Sequence, residues 1–148
     1  MGGEPWDYFT PYQEDINAAL QELRQREFKA GRYNPAMPFP HHAGIQPKAA
    51  APGAQHATIE EAMSDADADG TRSILDIERI GTSPDYGVAC PLAKEALIEQ
   101  FGTDKPTREM IEKNYDIFED IERGQAIYII VYKNDKPAEI FFAGYSYD

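Results

Sequence analysis

One cysteine, few bases and no long apolar run set the first limits on this 148-residue chain. The lone Cys90 has no partner for an intramolecular disulfide, and no cysteine pair is present to build a structural zinc site. Lys and Arg number 14 against 26 Asp and Glu, for a net charge of -12. Binding to phosphate backbones depends on clustered cations, so nucleic acid is not an expected ligand, and anionic membranes would repel the chain. No apolar stretch approaches the roughly 20 residues that a membrane helix needs. The opening residues, Met1-Gly-Gly-Glu-Pro-Trp-Asp, lack the basic and apolar segments of a secretory leader. A cytoplasmic protein is therefore expected. Glycine cradles for phosphate, a serine elbow and the zinc-protease helix pattern are absent too, which leans the reading away from an enzyme.

What is present is unevenly distributed. Residues 31–57 contain no acid, whereas residues 58–70 contain no base. The first of these stretches holds Pro35, Pro38, Pro40, Pro47, Pro52, an alanine run and all three histidines, and shows no periodicity. It reads as a long Pro/Ala/His-rich loop at about 32–57 within a single domain spanning 1–148. Adjacent His41 and His42 have no third ligand at a metal-binding spacing.

Helical signals precede and follow that loop. Thr10, Pro11 and Gln13 predict a capped helix from about 11 to 30, with Tyr12, Ile16, Leu20 and Leu23 on one stripe and Gly31 as its stop. Thr58 and Glu61 form a second capping box. A third helix is expected from Pro91 to Gly102. A fourth, from Thr107 to Gly124, sets Ile111, Tyr115, Phe118 and Ile121 against an acidic face. Strands are expected at 73–80, where Leu75 and Ile77 alternate with Asp76 and Glu78, and at 86–89. The nearly continuous apolar run 126–132 and the returning segment 139–145 predict a C-terminal hairpin closed by Asn134-Asp-Lys-Pro137. The expected fold class is α+β: an antiparallel sheet built on that hairpin, with three to four helices packed on one face.

Asp65, Asp67 and Asp69 alternate, Gly70 follows, and Asp76 falls at the twelfth position counted from Asp65. Hard cations take several carboxylate oxygens, and glycine permits the sharp turn such a loop requires. Over these twelve residues the chain resembles dockerin-like calcium loops. That resemblance implies Asp65, Asp67, Asp69 and Asp76 as calcium ligands. Arg72 stands where EF-hand-type loops place an apolar residue, and no second loop is present to pair with.

Two other chemistries are open to the sequence. Burial is the usual fate of a free cysteine, so a packed, inert Cys90 is the favoured reading; its place directly before Pro91 and an expected helix, whose N-terminal dipole would favour a reactive thiolate, keeps thiol chemistry as the alternative. The acidic face of the 107–124 helix, with Glu112, Asp116, Glu119 and Asp120, joins Tyr145 and Tyr147 as anchors for a basic protein partner. An acidic, Tyr-rich protein-binding module, of inhibitory or immunity/antitoxin type by analogy, is the leading expectation. A calcium-responsive module and a thiol enzyme using Cys90 are the alternatives.

Overall fold

The computed structural model describes residues 5–33, 56–66, 70–114 and 116–147. Strand β1 (Pro5–Pro11) leads into helix α1 (Ile16–Ala30); α2 (Ile59–Ala66), a 3-10 turn (Ile74–Asp76), β2 (Arg79–Ile80) and β3 (Val88–Pro91) follow. Next come α3 (Lys94–Phe101), α4 (Arg108–Glu112), a second 3-10 turn (Asp116–Asp120), β4 (Ala126–Lys133) and β5 (Lys136–Tyr145). The five strands form one sheet in the order β1-β5-β4-β3-β2.

The fold is α+β, but its sheet is mixed rather than antiparallel. β1 and β5 pair antiparallel, as do β5 and β4, whereas β4, β3 and β2 run parallel. For the two neighbours of β4 the physical reason is connection length. Two residues, Asn134 and Asp135, both in the left-handed region, join β4 to β5 and permit antiparallel return. The link from β3 to β4 instead carries two helices and a 3-10 turn, long enough for a parallel crossover.

The N-terminal reading also changes. Residues 5–11 are extended and pair with β5 from Pro5↔Tyr145 to Pro11↔Glu139. Aromatic residues suit a pleated surface, and Phe9 meets Phe141 across the strands at 4.8 Å between ring centres. The helix begins later, with Asp15 as its cap: the Asp15 carboxylate accepts from the Ala18 amide at 3.1 Å. Gly31, at φ 73°, ends it. At α2 the expected cap forms, since Thr58 Oγ1 accepts from the Glu61 amide at 3.1 Å.

Helices cover both faces of the sheet, not one. Ala19, Leu20 and Leu23 of α1 meet Trp6, Ile140, Phe142 and Ala126 on one face, together with Ile74 and Ile77. Leu92, Leu97, Ile111 and Phe118 meet Cys90, Ile127, Ile129, Val131 and Phe141 on the other. Each strand residue alternates between these cores, so β4 is covered on both sides. Tyr33 and His56 approach each other, with the Tyr33 hydroxyl 2.8 Å from His56 Nδ1.

Two predicted elements are broken up. The strand expected at 73–80 is a 3-10 turn followed by the two-residue β2, because Ser73 caps the turn by accepting from the Leu75 amide at 3.2 Å. The helix expected at 107–124 is split into α4 and the 3-10 turn 116–120. Asn114 lies at the break, donating its side-chain amide to the Gln100 carbonyl at 2.8 Å. No helix among the described residues is long and apolar enough to cross a membrane.

Candidate functional site

Three glycines in the left-handed region converge at the N-terminal end of β4. Gly70 has φ 77°, Gly87 has φ 72° and Gly124 has φ 73°. Glycine is the residue that adopts such φ values without steric cost. The Gly87 amide donates to the Gly124 carbonyl at 2.9 Å, and the Gly124 amide donates to the Tyr145 carbonyl at 3.0 Å. Two tyrosines lie over this floor. A Cβ at Gly124 would meet Tyr147 Cε1 at 2.4 Å and Tyr86 Cδ1 at 2.8 Å, so both rings sit where only glycine leaves room. The rings stack, with centres 5.9 Å apart and planes inclined by 30°. Tyr86 is 64% exposed, the most exposed of the large hydrophobic residues described.

Beneath Tyr147 lies a buried carboxylate. Asp76 ends the first 3-10 turn and is only 3% exposed. Its Oδ1 accepts from the Thr71 amide at 2.7 Å and from the Thr71 hydroxyl at 2.8 Å. Thr71 has one hydroxyl proton, and so the Ser73 hydroxyl, 2.8 Å away, donates in turn to Thr71. Among the described residues Asp76 Oδ2 has no close hydrogen-bond donor, the Arg72 amide being the further backbone group that acts on this carboxyl. Oδ2 packs against Gly70: a Cβ there would lie 2.7 Å from Oδ2 and 3.1 Å from Tyr147 Cδ2, so the space is full.

Three carboxylates, those of Asp76, Glu78 and Asp85, act on Tyr147. Burial, first of all, pushes the Asp76 carboxyl above its ordinary value; the Thr71 and Arg72 hydrogen bonds and the charge of Arg24 oppose this. Arg24 is itself buried and donates to the Leu75 carbonyl at 3.2 Å, without an ion pair to Asp76. Burial also raises the Tyr147 hydroxyl, and the negative charges of Asp76, Glu78 and Asp85 add to the effect. Glu78 and Asp85 are exposed, and neither has an ion pair among the described residues. The arrangement is a stacked tyrosine pair with one buried and two exposed carboxylates near it.

No family model, curated protein or solved structure matches the chain. What the site can do rests on its own chemistry. A cation is the group that both aromatic faces and carboxylates attract.

The residues singled out from sequence scatter across the fold. Asp67 and Asp69 lie outside the described residues, as does the side chain of Asp65. Asp76 is turned inward onto Thr71. No group of three or more metal-ligating side chains occurs among the described residues. Cys90 is in β3, not at a helix N-terminus: α3 starts at Lys94 with Ala93 as its cap. The thiol is 6% exposed, and burial pushes its pKa up, opposite to the activation expected from a helix dipole.

The acidic face expected on one helix is divided with it. Glu112 accepts from Arg108 at 2.7 Å and borders a cleft of about 550 Å³ at the Lys133 end of β4. Glu119 instead borders a shallower hollow with Phe118 and Tyr145, where Tyr145 meets Phe118 edge-on at 5.7 Å. Asp116 is exposed on the same 3-10 turn, and the side chain of Asp120 is outside the described residues. Of the proposed anchors, only Tyr147 belongs to the glycine-floored site. Tyr86, Glu78 and Asp85 were missed. Pro84-Asp-Tyr-Gly87 does carry a turn signature, but nothing local says that Gly70, Gly124 and Tyr147 meet it.

Proposed function

We propose that this protein binds a basic protein partner through the acidic surface around Tyr86 and Tyr147. The observation that carries the reading is the stacked tyrosine pair, largely exposed at Tyr86 and bordered by Glu78 and Asp85, neither of which has an ion pair among the described residues. Exposed tyrosines supply large contact area at low entropic cost, and they are enriched among residues that dominate protein interfaces. The chain's net charge of -12 accelerates encounter with a cationic partner and makes that encounter sensitive to salt. An inhibitory or neutralising role is compatible with a small acidic binder and rests on analogy alone.

The test is titration with an arginine-rich peptide at low and high ionic strength, followed by fluorescence anisotropy. Saturable binding that weakens with salt is expected. A Tyr86→Ala variant should bind about tenfold more weakly, the order expected for loss of an interface anchor. Binding unaffected by Tyr86→Ala and by a Glu78→Gln, Asp85→Asn double variant would overturn the proposal.

A further inference from the structure

We infer that the hollow where β3 ends beside β4 captures the free carboxyl terminus of an extended peptide whose last residue is apolar. The slot is separate from the tyrosine pair, which stands at the Ala126 end of β4.

Two parallel neighbours have unequal lengths here. β3 stops at Pro91, opposite Tyr128, whereas β4 continues to Lys133. The Tyr145 amide donates to the Gln125 carbonyl at 3.2 Å, in phase with odd-numbered residues of β4 bonding β5, so even-numbered residues turn their N–H and C=O toward β3. On that side the Tyr128 carbonyl accepts from the Leu92 amide at 3.1 Å, and the Tyr132 amide donates to the Pro106 carbonyl at 2.9 Å. Between these two bonds, the N–H and C=O of Ile130 have no backbone partner among the described residues.

Open space accompanies the missing bonds. A hollow of about 250 Å³ lies there, with Leu92, Leu97, Tyr128 and Ile130 in its lining and Lys94 and Asp104 on its rim. Leu92 and Leu97 belong to the core on one face of the sheet, Tyr128 and Ile130 to the core on the other. The hollow therefore lies in the plane of the sheet, on the line β3 would follow if it continued. Open sheets with parallel strands leave room for ligands at such carboxyl ends.

The occupant needs one donor, one acceptor and an apolar group. The Leu92 and Pro106 bonds bound the slot on either side, so it admits one paired residue rather than a strand running through. The last residue of a peptide meets these needs: its N–H donates to the Ile130 carbonyl, its carboxylate accepts from the Ile130 N–H, and its side chain rests on Leu92 and Leu97. Charge agrees with a carboxylate. Lys94 is largely exposed and held only loosely by Asp104 at 3.8 Å, and Lys105 lies 5.8 Å from the centre of the Tyr132 ring, so two cations flank the slot against a single acid in a chain of net charge -12.

The test uses the full chain and three acetylated alanine-based tetrapeptides: one ending in leucine with a free carboxylate, one ending in leucine carboxamide, and one ending in glycine with a free carboxylate. Backbone amide spectra follow each titration. With the leucine acid the Ile130 amide resonance should move downfield and saturate. The carboxamide and the glycine peptide should bind about tenfold more weakly, the order expected for losing a charge-assisted hydrogen bond or a buried leucine side chain. Lys94→Glu, at an exposed position, should weaken the leucine acid at least about threefold and leave the carboxamide unchanged. In the free protein the Ile130 amide should exchange with solvent faster than those of Tyr128 and Tyr132, and the leucine acid should slow it. No saturable shift at Ile130, equal affinity for all three peptides, or an Ile130 amide as protected in the free protein as that of Tyr132 overturns the inference.

Discussion

At the Lys133 end of β4, Arg108 lies between two carboxylates, donating to Glu112 at 2.7 Å and to Glu139 at 2.9 Å, with its guanidinium 4.1 Å from the centre of the Phe9 ring. At the Ala126 end the same kinds of group are present without that closure. Tyr86 and Tyr147 take the place of Phe9, and Glu78 and Asp85 that of Glu112 and Glu139, but among the described residues neither of these carboxylates has an ion pair. The first end has met its electrostatic needs internally, although a cleft of about 550 Å³ opens there. The second has carboxylates and an aromatic surface in search of a cation. Pairing, rather than cavity size, distinguishes a structural charge cluster from a candidate docking site.

The comparison is broken most forcefully at the glycine floor. Gly124→Val would force a β-branched residue into φ 73° and place its Cβ 2.4 Å from Tyr147. Backbone strain and overpacking together should lower stability by about 2–4 kcal/mol in denaturant titration. The variant should also separate the tyrosines, visible as altered ring resonances, without disturbing those of Phe9 at the far end.

A smaller effect is expected from Thr71→Val. It removes the hydroxyl that donates to Asp76 and accepts from Ser73, both buried. Unfolding measurements should show a loss of about 1–3 kcal/mol, the usual consequence of leaving buried polar groups unpaired. A neutral result would mean that the buried polar turn does not hold the loop.

The Arg108 cluster should prove weaker than its geometry implies. Its members are largely exposed, and exposed pairs are screened by water and salt. Arg108→Ala should cost no more than about 1 kcal/mol at low salt and less at high salt. It should leave arginine-peptide binding at the tyrosine end unchanged, and a large loss of that binding would abolish the distinction drawn between the two ends.

The finest test is pH. Burial raises the pKa of Asp76 in the folded state above its ordinary 3.8, so the native state binds the proton more tightly than the unfolded chain does. Stability contributed by this group is then fully present below 3.8 and is lost as pH rises through the raised folded value. Asp76→Asn lacks that titration. The stability difference between wild type and variant should shift in favour of the wild type as pH falls toward 4, read from parallel unfolding curves. Parallel pH profiles would show that Asp76 is not the burdened carboxylate.

How far the sequence reaches is visible in particular elements. Gly31 and Gly102 as helix stops, Thr58 as a cap and the apolar run of β4 are local signals, and local backbone chemistry realises them. The helix start expected at Thr10 and Pro11 gives way to strand β1, because that capping pattern competes with cross-strand pairing to β5 and the pairing wins. The 107–124 segment keeps helical periodicity past Asn114, yet the helix stops there, where Asn114 bonds the end of α3. Of the Asp65–Asp76 pattern, Asp76 is one hydrogen-bonded unit with Thr71 and Ser73, while Asp67, Asp69 and the side chain of Asp65 lie outside the described residues.

By itself the sequence determined composition-level properties: an acidic α+β chain with one unpaired cysteine and a strongly β-forming C-terminus. These follow from side-chain chemistry and short-range periodicity. Only the tertiary structure decided that the sheet is mixed, that Cys90 is buried within it, and that Tyr86 and Tyr147 stack over Gly70, Gly124 and Asp76. The reason is separation along the chain. Residues 70, 86, 124 and 147 share no periodicity, and they meet because a parallel crossover brings the start of β4 beside β3 while β5 returns antiparallel to the same end.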